Sequence, residues 1–135
     1  MEAKDLMVGD YVYNHRNWEC PIVEIHKNSA VVIARHYGEE EFLLSDLRPI
    51  PLTAEILEKN GFQHHLIAEK GFTREEWTLS DDYYDIVVRE WSDSIWVFRY
   101  ECTEMNTPHE QRVFGYVHEL QHALRENGID KEIVI

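Results

Sequence analysis

The sequence is poor in the residues that mark specialised sites. Only two of its 135 residues are cysteines, and its six glycines occur singly. Cys20 and Cys102 lie far apart and outside any C-x-x-C spacing, which favours two free thiols of a cytosolic protein over a disulfide framework. Because no two glycines are adjacent or closely spaced, the chain also has no Gly-rich phosphate-binding loop.

Long apolar runs are missing too. The first six residues include Glu2, Lys4 and Asp5, whereas a secretory signal would need an uninterrupted apolar segment there. No stretch approaches the roughly 20 apolar residues that a membrane-spanning helix requires. We therefore expect a cytoplasmic protein that does not associate with a membrane.

Positive charge is scarce as well. Thirteen Lys and Arg residues stand against twenty-six Asp and Glu residues, and no Lys or Arg has another as its sequence neighbour. With a net charge of −13, the surface repels phosphate backbones, so direct binding to DNA or RNA is not expected. An apolar fraction of 44% is nonetheless enough for a packed core and argues against extensive disorder.

Short strand patterns fill the first fifty residues. A Gly9-Asp10 turn leads into bulky β-formers, and three more strand patterns follow at 20–26, 30–36 and 39–44. Four short strands joined by tight turns predict a small SH3-like β-barrel unit. Barrels of this kind often bind peptides or nucleic acids, but that is an analogy of fold and not an argument from a site.

A boundary is predicted at Pro49-Ile50-Pro51, because two prolines so close together interrupt both strand ladders and helices. Thr53 then has the position of an N-cap for a short helix, which Asn60-Gly61 terminates. The sequence therefore predicts two domains, an SH3-like β unit at 1–52 and an α+β unit at 53–135.

The second predicted domain is dominated by strand patterns. Those at 66–68, 77–79, 83–89 and 95–101 predict an antiparallel meander, in which Trp96, Phe98 and Tyr100 share one face. A strand at 110–114 is favoured over an early helix start at Thr107-Pro108, and 129–135 is a possible edge strand. The fold class is thus α+β, with the barrel unit followed by a meander packed with two helices.

The last predicted helix contains the pattern H-E-x-x-H. His118 and His122 lie one helical turn apart, a spacing that can hold zinc, and Glu119 stands where a metallopeptidase has its general base. A catalytic zinc also needs a third protein ligand. His109 is the nearest further histidine, His64-His65 are more distant, and the carboxylates that follow the motif are Glu126, Asp130 and Glu132.

Helical periodicity favours a structural interpretation of the same helix. Val117, Leu120 and Leu124 fall in one narrow arc and are the predicted core face. His118 and His122 fall roughly opposite that arc, so we expect them to face water unless another part of the chain covers them. The favoured interpretation is an amphipathic helix packed on the meander, with two exposed or hydrogen-bonded histidines.

Three stretches of the chain carry a resemblance to known sequences. They are Lys4-Asp5-Leu6-Met7-Val8-Gly9-Asp10-Tyr11-Val12, then Pro49-Ile50-Pro51-Leu52-Thr53 running into Glu55-Ile56-Leu57 and Asn60-Gly61-Phe62, and Tyr116-Val117-His118-Glu119-Leu120-Gln121. Together they resemble a family of small uncharacterised proteins from anaerobic gut bacteria and their phages. The resemblance spans nearly the whole chain, and it implies no activity, substrate or cofactor. Relatives end in a similar Tyr-Val-His-x-Leu-Gln helix without always completing the H-E-x-x-H.

The leading hypothesis for function is a non-catalytic binding or adaptor protein of phage or mobile-element type, with an unidentified protein partner and no cofactor. It depends on the barrel-like module and on the lack of a complete catalytic constellation in the sequence. The alternative is a zinc-dependent hydrolase, with His118 and His122 as metal ligands and Glu119 as the catalytic base. A further alternative, based only on the charge of −13, is an acidic decoy of a nucleic-acid-binding partner.

Overall fold

The structure is a computed structural model that describes residues 1–34, 37–81, 83–102 and 111–135. In these residues the chain forms two five-stranded antiparallel sheets and two short α-helices. The predicted α+β class is therefore confirmed. Among the described residues, no helix combines the length and apolar character needed to cross a membrane.

The first sheet is built from the first fifty residues, in the strand order β4-β3-β2-β1-β5. It begins where the Gly9-Asp10 turn was predicted, and the residues that separate β2 from β3 form the predicted hairpin connection. In the described residues the sheet is not closed into a barrel, and the SH3-like detail stays a prediction. The strands are β1 Tyr11–Tyr13, β2 Glu19–Ile25, β3 Ser29–Ala34, β4 Gly38–Leu43 and β5 Arg48–Pro49.

One face of the first sheet is buried, because alternate residues of each strand point to the same side. Along β2 and β3, Cys20, Ile22, Ala30 and Val32 are each 1% exposed or less. They pack in one cluster with residues from the flanking 3₁₀ turns, Leu6 among them. The first sheet therefore has its own hydrophobic core.

The second sheet is the predicted meander, in the order β10-β9-β8-β7-β6. Trp96 and Phe98 are buried, as expected for the face that they were predicted to share. Gln111–Phe114 is a strand, as predicted, while Glu110, His109 and Thr107-Pro108 lie outside the described residues. The strands are β6 Gln63–Glu69, β7 Phe72–Ser80, β8 Tyr84–Ser92, β9 Ile95–Cys102 and β10 Gln111–Phe114.

Helix α1, Ala54–Lys59, begins at the predicted N-cap. The hydroxyl of Thr53 accepts a hydrogen bond from the backbone N–H of Ile56, which satisfies one of the donors left free at a helix start. Leu57 is fully buried and Gly61 follows with a φ of +88°, the left-handed conformation that favours glycine at a helix end. This helix is short, so its stability depends on packing against its unit.

The chain divides into two compact units, and the division differs from the predicted domains. The first unit comprises Met1–Pro51 and Tyr116–Asp130, and the second comprises Leu52–Gly115 and Lys131–Ile135. Helix α2, Val117–Glu126, is therefore part of the first unit, although it was predicted to pack on the meander. The reason is a set of polar contacts with the Gly9-Asp10 turn that sequence periodicity does not reveal.

The prediction of a possible edge strand at 129–135 is wrong, since no strand forms there. The side chain of Asn60, which is 5% exposed, occupies both backbone hydrogen-bonding groups of Val134 instead. Its Nδ2 donates to the Val134 carbonyl and its Oδ1 accepts from the Val134 N–H, each at 2.7 Å. The side-chain amide of Asn60 thus makes the two hydrogen bonds that a neighbouring strand would make with Val134. Ile133, which precedes Val134, is buried.

Candidate functional site

Helix α2 carries the H-E-x-x-H pattern and is fixed at its start by backbone contacts within the first unit. The N–H of Val117 donates to the carbonyl of Ile50 at 2.8 Å, and Tyr116 forms a β-bridge with Pro51. Val117, Leu120 and Leu124 are fully buried, which confirms the predicted core face of the helix.

Asp10 is the centre of a polar cluster that joins this helix to the turn before β1. Its side chain is fully buried, and its carboxylate has three partners. The N–H of Met7 donates to Oδ2 at 2.8 Å, and Nη1 of Arg125 donates to Oδ1 at 3.3 Å. Nε2 of His122 lies 2.7 Å from Oδ2, the separation of a charge-assisted hydrogen bond.

Gln121 completes the same cluster with a two-sided contact. Its Nε2 donates to the carbonyl of Gly9 at 3.0 Å, and its Oε1 accepts from the N–H of Tyr11 at 3.2 Å. The side-chain amide of Gln121 therefore forms the donor and acceptor hydrogen bonds with the Gly9–Tyr11 backbone that a neighbouring strand would form. We call Asp10, Gln121, His122 and Arg125 the helix-anchoring cluster.

The turn at Gly9 is shaped for this cluster. Gly9 has a φ of +93°, which glycine adopts without strain. A Cβ at this position would lie 2.9 Å from Nη2 of Arg125, so a side chain would also displace the guanidinium. Gly9 and Asp10 together therefore hold the N-terminal turn against α2.

His118 is buried, contrary to the expectation that it faces water. It is 7% exposed, its ring stacks on Tyr116 with centroids 5.9 Å apart, and it meets the ring of His122 edge-on at 5.6 Å. The helical wheel failed here because it distinguishes only one core face, whereas the first unit also encloses the polar side of α2. His122 is partly buried, with 18% of its side chain exposed.

The environment of His118 favours the neutral imidazole. Burial lowers the pKa of His118, an effect that the nearby carboxylates of Asp10, Glu119 and Asp5 oppose and His122 reinforces. Its Nδ1 is buried and has no hydrogen-bond partner in the part of the chain that the structure describes. A buried ring nitrogen without a partner costs free energy, which marks His118 as the least satisfied member of this region.

A cavity of about 440 Å³ lies beside these histidines in the first unit. Besides both histidines and Glu119, it is lined by Asp5 and Lys4. The structure thus brings together the three predicted site residues, His118, His122 and Glu119, and adds Asp5. The other lining residues are Met1, Pro49 and Tyr116.

As they are arranged, these residues do not fit a zinc site. Nε2 of His122, the atom a helix pair of this kind would offer to a metal, faces the carboxylate of Asp10. Over the described part of the chain, no three His, Cys, Asp or Glu side chains are placed to hold a metal ion together. His109, considered as a third ligand, lies outside the described residues.

The buried thiol of Cys20 is not an activated nucleophile. Burial raises its pKa, and the charges of Glu40 and Glu19 raise it further. Its Sγ donates to the carbonyl of Trp18 at 3.4 Å. Reactive cysteines have a lowered pKa, so Cys20 has the properties of a core residue.

A second candidate site lies on the first sheet, at the loop between β1 and β2. Trp18 and Tyr37 stack with ring centroids 5.5 Å apart, and the guanidinium of Arg16 lies over both rings, 5.1 Å and 5.4 Å from their centroids. Arg48 lies over the ring of Tyr13 at 5.5 Å. We call these five residues the aromatic–arginine surface.

A buried asparagine fixes the loop that carries this surface. Asn14 is 1% exposed, and its Oδ1 accepts from the N–H of Arg16 at 2.9 Å and from that of Trp18 at 3.0 Å. Arg48, which lies over Tyr13, is also tied to this loop, because its Nη2 donates a hydrogen bond to Oδ1 of Asn17. The loop is therefore held in shape by its own side chains.

This surface could not be recognised from the sequence, because its members come from three separate segments. Trp18 and Tyr37 are separated by 18 intervening positions and meet only after β2, β3 and β4 have paired. The local signal that could have indicated it is the spacing of Asn14, Arg16 and Trp18, which is typical of an asparagine that closes a short loop.

Comparison of the chain with protein-family models, with curated proteins and with solved structures found no match.

Proposed function

We propose that this protein is a non-catalytic binding or adaptor protein whose aromatic–arginine surface contacts a protein partner. The observation that carries the proposal is the stack of Arg16 on Trp18 and Tyr37, where the β1–β2 loop lies at the end of the strands of the first sheet. Trp, Tyr and Arg are the residue types that contribute most binding energy at protein interfaces. Tyr37 is 60% exposed, so its ring is available to a partner.

Two further features support this function. The hydrogen bonds of Asn14 fix the loop before any partner arrives, which lowers the entropy lost on binding. The histidines of the H-E-x-x-H pattern are engaged in packing: His122 contacts Asp10 and His118 is enclosed. The motif thus has a structural explanation that requires no reaction.

The finer parts of the hypothesis belong to the same proposal. An SH3-like first unit would be a peptide-binding module, in keeping with a partner that contacts the loop between β1 and β2. A cytoplasmic protein of phage or mobile-element type is in keeping with the resemblance carried by the three stretches. The charge of −13 supports a protein partner over a nucleic acid.

The test is affinity capture with the full chain as bait, compared between matched variants. We expect a double substitution, Arg16→Ser with Tyr37→Ser, to abolish capture of a partner that the natural sequence retains. With the purified partner, the affinity should fall by about thirtyfold, which corresponds to roughly 2 kcal/mol for the loss of a central contact.

Tyr83→Ser is the matched control, because Tyr83 is 62% exposed but lies in the second unit. It should leave capture unchanged. If the double variant captures the same partner as strongly as the control does, the aromatic–arginine surface is not the binding site.

A zinc-dependent hydrolase is the second candidate, and one observation favours it: His118, His122, Glu119 and Asp5 line one cavity. Zinc binding would require His122 to leave Asp10. Elemental analysis of protein purified without an affinity tag decides the matter. One equivalent of zinc that is lost in His122→Ala would support the hydrolase, and zinc far below one equivalent in both proteins would exclude it.

A further inference from the structure

One face of the second sheet gathers three arginines that are far apart in sequence. Arg74, Arg89 and Arg99 come from the adjacent strands β7, β8 and β9. In the register of β8 and β9, Arg89 is opposite Val97 and Arg99 is opposite Val87. Because side chains alternate along a strand, all three arginines lie on the face opposite to Trp77, Val88 and Phe98.

These arginines line a cavity of about 190 Å³, with Glu76, Val87 and Val97 as its other lining residues. The lining side chains carry three positive charges and one negative charge, a net charge of +2. The chain as a whole carries −13. Sequence alone indicated no basic patch, since none of these arginines is near another along the chain.

Two of the arginines have hydrogen-bond donors that find no partner among the described residues. Nε of Arg74 lies 3.1 Å from Oε1 of Glu76, and Nε of Arg99 lies 3.0 Å from Oε1 of Glu101. Both contacts are close enough for ion pairing, but neither Nε–H is aligned to form a hydrogen bond, and both nitrogen atoms are buried. Buried donors of this kind gain free energy when a ligand supplies an acceptor.

Arg89 is the least neutralised of the three. Its guanidinium lies over the ring of Trp91, 5.8 Å from the centroid, and within the described residues it forms no ion pair. An indole ring orients a guanidinium without cancelling its charge. Arg89 can therefore direct its donors to an anion in the cavity.

We propose that this cavity binds a single phosphate group. Guanidinium groups bind phosphate oxygens through pairs of parallel hydrogen bonds, and three guanidinium groups can surround a tetrahedral anion from different directions. Glu69 and Glu76 pair with Arg74, and Glu101 pairs with Arg99, so the charge available to the anion is mainly that of Arg89. The site does not depend on the proposed function, because it is formed entirely by residues of the second unit.

The same features restrict the ligand to one phosphate group. The charge of −13 opposes the approach of a polyanion such as a nucleic acid backbone. Glu76, which is 7% exposed, holds Arg74 in place and adds negative charge at one side of the cavity. The cavity therefore has room and charge for one phosphate, either as the free ion or as the monoester of a phosphorylated residue.

The experiment is a titration followed by heteronuclear NMR of the arginine Nε–H signals. Inorganic phosphate and O-phosphoserine are added separately to the full chain at constant ionic strength. We expect the Nε–H signals of Arg74 and Arg99 to shift and saturate with at least one of the two ligands. Saturation with inorganic phosphate would identify a free-ion site, and saturation with O-phosphoserine alone would identify a phosphomonoester site.

Arg89→Gln provides the specific test, with Lys59→Gln as the control because Lys59 is an exposed cation of the same unit. Arg89→Gln should weaken the binding about tenfold or more, equivalent to roughly 1.4 kcal/mol, while Lys59→Gln should leave it within about twofold. The proposal is overturned if neither ligand produces saturable shifts in the natural sequence. It is also overturned if both variants weaken binding equally, which would indicate general charge attraction.

Discussion

The helix-anchoring cluster and the arginine cavity are both built from charged side chains around a buried carboxylate, yet they are completed to different degrees. In the first, both oxygens of Asp10 have aligned partners and the amide of Gln121 is used on both sides. In the second, Glu76 is buried, but among the described residues the Nε donors of Arg74 and Arg99, which line the same cavity, have no hydrogen-bond partner. A completed cluster stabilises the fold, whereas an incomplete one retains binding capacity.

Removal of Asp10 should produce the largest effect on stability. Asp10→Ala leaves His122, Arg125 and the N–H of Met7 without their acceptor, and the loss of one partner from a buried charged pair costs about 3–5 kcal/mol. Urea unfolding monitored by tryptophan fluorescence would measure this free energy of unfolding.

The control for this prediction is Asp130→Ala, since Asp130 is an exposed carboxylate of the same unit. It should change the free energy of unfolding by less than about 0.5 kcal/mol. If both variants unfold at the same urea concentration, the cluster does not stabilise the first unit and the contrast with the arginine cavity fails.

Removal of Gln121 should have a smaller effect of the same kind. Gln121→Ala leaves the carbonyl of Gly9 and the N–H of Tyr11 without partners, at a cost of about 1–3 kcal/mol. Hydrogen exchange gives a sharper measurement, because the amide of Tyr11 should lose protection in this variant. Unchanged protection of that amide, compared with the natural sequence, would contradict the contact.

Periodic patterns predicted the elements of this protein well. The alternation of Trp96 and Phe98 located a buried strand face, and the spacing of Val117, Leu120 and Leu124 located the core side of α2. These signals are local, since each depends on residues within one strand or helix. The α+β class could therefore be predicted from the sequence.

The sites could not be predicted in the same way, because they depend on pairings between distant residues. Asp10 and His122 are separated by 112 positions, and nothing in the sequence indicates that the helix packs next to the N-terminal turn. The burial of His118 follows from that packing. Arg74, Arg89 and Arg99 become neighbours only through strand register, which the sequence does not specify.

Unlike the members of the helix-anchoring cluster, His118 is buried with an unsatisfied ring nitrogen. Its effect on the stability of the protein should depend on pH. Burial lowers its pKa in the folded protein, so the unfolded chain takes up a proton first as the pH falls through the ordinary histidine range near about 6.5. The unfolded state then binds more protons than the folded state, and stability decreases with falling pH. The unfavourable effect of His118 on stability is therefore smallest above this range and grows below it.

His118→Phe should remove this dependence, because phenylalanine has a similar shape and no ring nitrogen to protonate. At neutral pH the variant should be more stable by about 1 kcal/mol, since the unpartnered Nδ1 is lost. Its advantage should grow as the pH is lowered from about 7 to about 5, the range in which an unfolded histidine titrates. A constant difference between the two proteins over that range would show that His118 is not held neutral.

Arg89→Gln should have the smallest effect on stability and is the most direct test of the contrast between the two clusters. Arg89 forms no ion pair in the described part of the chain, so the substitution removes only its contact with Trp91, worth at most about 1 kcal/mol at an exposed site. The same substitution should weaken phosphate binding about tenfold, because it removes the least neutralised charge of the cavity. Urea unfolding with and without phosphate separates the two effects: the ligand should stabilise the natural sequence and have little effect on the variant. A large loss of stability without phosphate would instead show that Arg89 supports the sheet, and the arginine cavity would then resemble the helix-anchoring cluster.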